Sequence, residues 1–339
     1  MLVKGIAGLG NRMLSALTGI LYARLTGRRL IVDWRDPTFS NDGTNAFYRF
    51  FQCSLSSPND KIPETDSVNP IIWRGHLHEH ATNMRKPYKN NKEFWQRTSI
   101  DLTKLDYQED VLVMWTYTQK VDLLRSHFKG EFKGFAETST EAILSKLLRE
   151  DLIIHPQIRK GVNGFKGNNF REKTLGVHVR YTDHRASLWA IFKKLNALLE
   201  RELGLQIFLA TDNIQIKNMF EESYQNVITT PHWYPAPGLR LHEGQNRPDP
   251  MESGIEALLD LYLLAECDYL IIDTSSSFSH VASLLTNAPD LHIFNVKQGE
   301  KLPEPLRELT WRLMVGLGLF SWGLGFLRKL VRIQKLFRR

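Results

Sequence analysis

Residues 2–34, LVKGIAGLGNRMLSALTGILYARLTGRRLIVDW, read as strand, turn, helix and strand. Leu2 and Val3 open a short strand that runs into the glycine-rich turn Gly5–Arg12. Met13, Leu17, Ile20, Leu21 and Leu25 then recur at helical spacing, and Gly27 stands where a left-handed C-cap ends a helix. Arg29–Trp34 is a β-branched and apolar run, the pattern of a buried strand. Strand, glycine turn, helix and strand within about 30 residues is the spacing of a βαβ unit in a parallel sheet.

The same alternation resumes far along the chain. Leu175–Val179, Gln206–Thr211, Tyr269–Asp273 and Leu291–Val296 read as strands; Leu188–Leu203 and Gly254–Cys267 read as helices. Between the two halves the texture varies. Residues 36–100 are polar and aromatic without period, expected to be an irregular, loop-rich insertion of the kind that carries specificity. Val111–Trp115 is a strand, and Ser139 or Thr140 caps a helix with Ile143, Leu144, Leu147 and Leu148 on its face. The Gly-, Asn- and Lys-rich stretch 156–173 is expected to be a linker. The expected fold class is therefore α/β, with two Rossmann-like parallel-sheet domains at 1–160 and 161–300 and an apolar, basic tail at 301–339.

Composition narrows the function classes. The chain has 339 residues, 42% hydrophobic and 24% charged, values that exclude a disordered, collagenous or multi-pass membrane protein. Two cysteines, Cys53 and Cys267, cannot build a disulfide framework or a four-ligand zinc site, and a reducing compartment is expected. No signal peptide is legible in the opening residues, so a cytoplasmic location is expected. Six basic residues without an acid stand between Arg328 and Arg339; taken from a net charge of +7, they leave +1 for the rest. Basicity is a property of the tail, and a nucleic-acid partner is not expected of the body.

Five stretches can carry chemistry. Gly8-Leu9-Gly10-Asn11-Arg12 joins a strand to a helix, where glycines let backbone N–H groups approach an anion at the positive helix end. It lacks the third glycine of a dinucleotide fingerprint and the lysine of a P-loop; the alternative is a plain tight turn. In GVHVRYTDHR (176–185), His178 and Arg180 share one side of a strand, and Arg180 lies at its carboxyl end, where open α/β sheets bind ligands. A guanidinium there suits a diphosphate gaining charge as it leaves; the alternatives are an arginine paired with Asp183 or Asp212, and a core histidine. Asp212, ending IFLATDN, either accepts from a ribose or base or caps the helix near Ile214. Asp260, inside the apolar helix GIEALLDLYLLAECD, is a buried carboxylate and so either a structural pair or a ligand group. Ser275, Ser276 and Ser277, after the last long strand, can donate to phosphate oxygens or simply cap a helix. There is no zinc-ligand spacing, nucleophile elbow or Asp-x-Asp metal motif.

Taken together and in this order, the stretches resemble glycosyltransferases that use GDP-fucose, most closely the NodZ-type nodulation fucosyltransferases and the α1,6-fucosyltransferases. The resemblance runs from Gly5 to about Val296. TGRRLIVDWRDPTFSNDGTNAFYRFF (26–51), GVHVRYTDH, IFLATDN and GIEALLDLYLLAECDYLI carry it. The α1,2-fucosyltransferases share the Gly-Leu-Gly-Asn turn and a His-x-Arg strand, and use the same donor. The resemblance implies a GT-B fold, with the two sheet domains facing a cleft, and inverting, metal-free transfer of fucose to an N-acetylglucosamine-containing oligosaccharide or glycolipid. It implies that Arg180 holds the donor diphosphate, with Asp183 as catalytic base. Gly8, Gly10, Asn11, Arg12, His178, His184, Arg185, Asp212, Asp260 and Ser275–Ser277 complete the expected donor site. The α1,6 enzymes carry a second arginine where this chain has Tyr181, so His184 or Arg185 is expected to act with Arg180.

Leu313–Leu327, LMVGLGLFSWGLGFL, is uncharged. As a helix it would span roughly 22 Å, short of the ~30 Å hydrocarbon core of a bilayer. With the basic run that follows, it is expected to rest on the inner face of a membrane; a helix packed on the body is the alternative. Two non-enzyme readings remain at this point: a tethered nucleotide-sugar-binding module without turnover, and a tail that binds nucleic acid.

Overall fold

In the computed structural model, residues 1–182, 186–234 and 249–296 are described. They form two compact units, Met1–Gly161 with Arg247–Leu259, and Val162–Asn246 with Asp260–Arg339, as far as the described residues go.

The first unit opens as its sequence pattern requires: β1 (Leu2–Lys4), α1 (Leu9–Thr26) and β2 (Ile31–Asp33). It continues through α2 (Ala46–Phe50), β3 (Phe51–Gln52), β4 (Val68–Asn69), α3 (Asn91–Thr98), β5 (Val111–Met114), α4 (Lys133–Ala136), α5 (Thr140–Glu150) and β6 (Ile153–Ile154). Four strands make a parallel sheet in the order β2-β1-β5-β4; β3 and β6 form a separate antiparallel pair. Helix α1 is buried around most of its circumference and ends at Gly27, whose φ of 66° is left-handed. Ser139 caps α5, and Ile143, Leu144, Leu147 and Leu148 are its buried face, as the spacing predicts. Residues 36–100 hold more order than their composition suggests, since α2, β3, β4 and α3 all fall there and β4 extends the main sheet.

The second unit holds β7 (Thr174–Val179), α7 (Leu188–Arg201), β8 (Gln206–Thr211), α8 (Ile214–Ser223), β9 (Val227–Ile228), β10 (Tyr269–Ile272), α10 (Ser277–Leu285) and β11 (Ile293–Asn295). All five strands are parallel, ordered β11-β10-β7-β8-β9. The core clusters Leu175, Val177 and Val179 of β7 with Ile191, Phe192 and Leu195 of α7 and Phe220 of α8. Gly176 is required by packing: a Cβ there would stand 2.8 Å from Leu270 and 3.0 Å from Cys267 Sγ. Cys53 and Cys267 are both free thiols.

Two helices contain the boundaries between the units: α6 (Pro156–Asn169) and α9 (Pro250–Ala265). The stretch expected to be a linker is thus the helix α6. Ile158, Val162 and Phe165 recur on one stripe; the first two are buried, and Phe165 meets Phe208 at 6.0 Å. The apolar, basic tail lies outside the described residues.

Candidate functional site

The second sheet has a topological switch. Its first strand, β7, lies in the middle; the chain builds β8 and β9 on one side, then crosses over to build β10 and β11 on the other. Connections leaving the carboxyl ends of β7 and β10 therefore diverge, and open α/β sheets bind ligands in the crevice this creates. His178, Arg180 and Ser275–Ser277 all stand at this edge.

From β10, Asp273 closes a turn, accepting from the Ser275 amide at 2.9 Å and the Ser275 hydroxyl at 2.6 Å. Ser276 follows as the N-cap of α10, but its side chain makes no capping bond. Ser276 is 3% exposed, and its Oγ has no hydrogen-bond partner among the described residues. The first turn of α10 carries no acid to offset the helix dipole. An uncompensated helix end with a buried, unanswered hydroxyl suits an anion. The three serines thus separate into different tasks: Ser275 shapes the turn, Ser276 presents the open hydroxyl, and Ser277 begins the helix.

From β7, His178 is 8% exposed, stacks on Phe278 with ring centroids 4.9 Å apart, and meets Ser279 Oγ through Nδ1. Arg180 is half-buried immediately beyond the strand. Asp212, just beyond β8, makes two hydrogen bonds to the segment after β7. One carboxylate oxygen accepts from the Tyr181 amide at 2.7 Å and the other from the Thr182 hydroxyl at 2.6 Å. Burial pushes its carboxyl above the ordinary range, opposed by those bonds and by the charge of Arg180. Asp212 therefore pins the segment that carries Arg180 off the strand. The cap of α8 is Asn213, which accepts from Gln215 and Ile216 amides at 2.9 and 3.1 Å.

Asp260 is 7% exposed and accepts from the buried hydroxyl of Thr230. His232, beside Thr230, hydrogen-bonds the carbonyl of Thr211 at 3.1 Å and packs on Tyr234 at 4.2 Å. The Thr230 contact ties α9 to the segment after β9, and His232 ties that segment to the carboxyl end of β8. Asp183, His184 and Arg185 lie outside the described residues.

The glycine turn belongs to the first unit. Ala7 has φ 60°, and Gly8 is the extended N-cap of α1, with no acid in the first turn. Gly10 is buried in that turn, and the Asn11 amide donates to the Tyr117 carbonyl. Arg12 departs from its expected donor contact. It is 0% exposed, forks onto Asp36 at 2.6 and 2.8 Å, donates to the Ala7 carbonyl at 2.9 Å, and lies over Phe39. The guanidinium is enclosed, so Arg12 is a structural cation. Its presence dictates Gly5, where a Cβ would stand 2.2 Å from Arg12 Nη1. Arg12 holds the Asp36 carboxyl down to about 2, overcoming the burial that would raise it.

Beside it lies a buried pair that sequence reading missed. Lys4 donates to Asp33 at 2.7 Å, and Asp33 also takes Arg35 at 2.7 Å. Burial lowers Lys4; in Asp33, burial raises the carboxyl but Lys4 and Arg35 overcome it and lower it. The signal was available, because a lysine inside an apolar strand needs a partner, and Lys4 and Asp33 are in register on β1 and β2. His80 meets the Gly5 carbonyl at 3.0 Å; burial lowers its imidazole, opposed by Asp36. Among the described residues no cluster of His, Cys, Asp and Glu can hold a metal ion, and no helix is long and apolar enough to cross a membrane.

No family model matches the chain. Nodulation protein Z of Bradyrhizobium diazoefficiens is 24% identical over 315 residues, covering 87% of this chain and 80% of its own. Nodulation protein Z of Sinorhizobium fredii is 24% identical over 302 residues, covering 82% and 88%. Probable fucosyltransferase 9 of Arabidopsis thaliana is 25% identical over 323 residues, covering 88% and 62%. Among solved structures, NodZ α1,6-fucosyltransferase soaked with GDP-fucose superposes with a TM-score of 0.57 at 20% identity, covering 86% and 94% of the two chains. A FUT1 mutant of Arabidopsis thaliana in complex with GDP gives a TM-score of 0.56 at 16% identity, covering 90% and 72%. The chain is similar to NodZ-type fucosyltransferases over most of its length, and the expected α/β, GT-B-like fold is borne out.

Proposed function

We propose that the chain is a GDP-fucose-dependent fucosyltransferase that inverts the anomeric centre and acts on a hydroxyl of an N-acetylglucosamine-containing oligosaccharide. The observation that carries the reading is the buried Ser276 hydroxyl at the uncompensated end of α10, on the same sheet edge as Arg180. That edge offers a diphosphate both a hydrogen-bond donor and a cation. Similarity to NodZ, whose solved structure was soaked with GDP-fucose, supports guanosine and fucose as the rest of the donor.

In this reading the acceptor oxygen attacks the anomeric carbon as the bond to the diphosphate breaks, and GDP leaves with the electron pair. Arg180 stabilises the charge that develops on the departing phosphate. Asp183, three residues on, takes the acceptor proton. Asp212 acts one step back by holding the Arg180 segment. The reaction in this form asks for no metal, and EDTA is expected to leave the rate unchanged. The tail from Leu313 is proposed to rest on an anionic membrane surface; sedimentation with phosphatidylserine vesicles at low but not high salt is the expected behaviour.

The test is calorimetry with GDP and UDP, followed by GDP release from GDP-fucose in the presence of chitooligosaccharides. GDP is expected to bind in preference to UDP. Arg180→Ala is expected to lose at least about a hundredfold in kcat, the usual cost of removing one such electrostatic donor. Equal binding of the two nucleotides would overturn the donor, and near-normal turnover of Arg180→Ala would overturn the mechanism.

A further inference from the structure

The first unit holds a cavity at the far end of its sheet from the glycine turn. Arg29, Tyr48, Cys53, Ser56 and Asp60 are in its wall, and its volume is about 600 Å³, within the range of small-molecule sites. Arg29 stands just before β2, whereas the glycine turn follows β1, and those two strands are parallel. The cavity and the turn therefore lie at opposite ends of the sheet.

The wall has hydrogen-bonding capacity of both kinds left over. Tyr48 Oη and Ser56 Oγ are 2.5 Å apart, and either can donate to the other. Only one of their two protons can lie between them, so the second has no acceptor among the described residues. Ser56 is 8% exposed, and a hydroxyl proton in such a wall is costly until an oxygen in the cavity accepts it. Asp60, its side chain 4% exposed, takes Arg29 on one carboxylate oxygen and the Ser57 amide on the other at 2.8 Å. Each of those oxygens keeps a lone pair for a further donor. The exposed Arg29 guanidinium uses a single donor of its fork on Asp60. This pair cancels its own charge, and among the described residues the wall carries no other Lys, Arg, Asp or Glu. Donors and acceptors side by side without net charge suit a polyhydroxylated molecule, since each of its hydroxyls both gives and takes a hydrogen bond. They do not suit a phosphate, which asks for cations.

We propose that this cavity is a second binding site, for a neutral oligosaccharide, at the end of the first sheet away from the glycine turn. It holds a glycan without acting on it, and it stands apart from the identity of the donor.

Cys53 reports on occupancy. It is half-buried in the wall, whereas the other thiol, Cys267, is buried and donates to the Leu263 carbonyl at 3.2 Å. Burial pushes both thiols up, so the full chain is labelled with iodoacetamide at mildly alkaline pH, and mass spectrometry locates the label. Chitotriose, cellotriose and maltotriose are the probes. At least one is expected to slow labelling of Cys53 saturably. Protection by none of them overturns the proposal, and protection by GDP in place of a sugar overturns its chemistry. In Arg29→Gln and Tyr48→Phe the protecting sugar is expected to act about tenfold more weakly, the scale of one lost hydrogen bond. Calorimetry of the three sugars with wild type and Arg29→Gln decides the same point without the label: a loss of affinity supports the site, and equal affinities overturn it. None of these readouts uses GDP-fucose, so failure here and failure of the proposed transfer reaction are told apart.

Discussion

Replacing Ser276 by alanine should move stability and affinity in opposite directions. Its hydroxyl is buried, makes no capping bond, and has no partner among the described residues. A buried polar group left unanswered costs about 1–3 kcal/mol. Alanine removes the group at almost constant volume and forfeits no cap, so the nucleotide-free protein should gain about 1 kcal/mol. For a cooperative unit of 150–250 residues that is a rise in Tm of about 2–4 °C. With nucleotide bound the sign reverses. A hydrogen bond to a charged phosphate contributes about 1.5–3 kcal/mol, so GDP should bind roughly 10- to 150-fold more weakly. Differential scanning fluorimetry without ligand and titration calorimetry with GDP measure the two halves. A variant with a lower Tm and an unchanged Kd would refute the assignment, since it would show a serine that holds the helix end for the fold alone.

Further outcomes separate positioning from contact. Asp212→Asn swaps one acceptor for an amide facing a donor; it should weaken GDP by about tenfold or more while leaving guanosine unchanged, because the carboxylate holds the segment after β7. Equal losses for nucleoside and nucleotide would instead make Asp212 a direct contact. Asp36→Asn strands the enclosed Arg12 and should cost about 3–5 kcal/mol in chemical denaturation. Acid should reproduce part of this. The Asp36 carboxyl falls from 3.8 to about 2 on folding, so its contribution of about 2 kcal/mol is full above pH 4 and is lost as pH drops through about 2. An unfolding midpoint whose acid limb is the same in wild type and Asp36→Asn would contradict it.

The strand, glycine turn and helix of residues 2–34 were legible because each is specified by neighbours in sequence. The same holds for the carboxyl-end placement of Arg180 and of the serine run, which needs only the strand boundary and the rule for parallel sheets. Helix α6 was obscured by its composition: glycine, asparagine and lysine outweigh a stripe of three apolar residues, Ile158, Val162 and Phe165, that tertiary packing turns into a helix. Roles set by distant partners were illegible for another reason. Arg12 finds Asp36 24 residues on, Asp212 finds Thr182 30 residues back, and His178 finds Ser279 101 residues on. Nothing local distinguishes those side chains from ones that await a ligand.

In both sheets the strand made first is an interior one, and that order has a consequence during synthesis. One flank of β7 stays open until β10 emerges, about 90 residues later, or roughly 5–20 s at ordinary translation speeds. The first unit waits almost as long for its last piece, since residues 249–259 return to it and Gly254 packs against Phe39 and Phe50. A fragment cut after Gly161 is therefore born without part of its own interior, and ribosome-bound chains of that length should offer those two phenylalanines to chaperones.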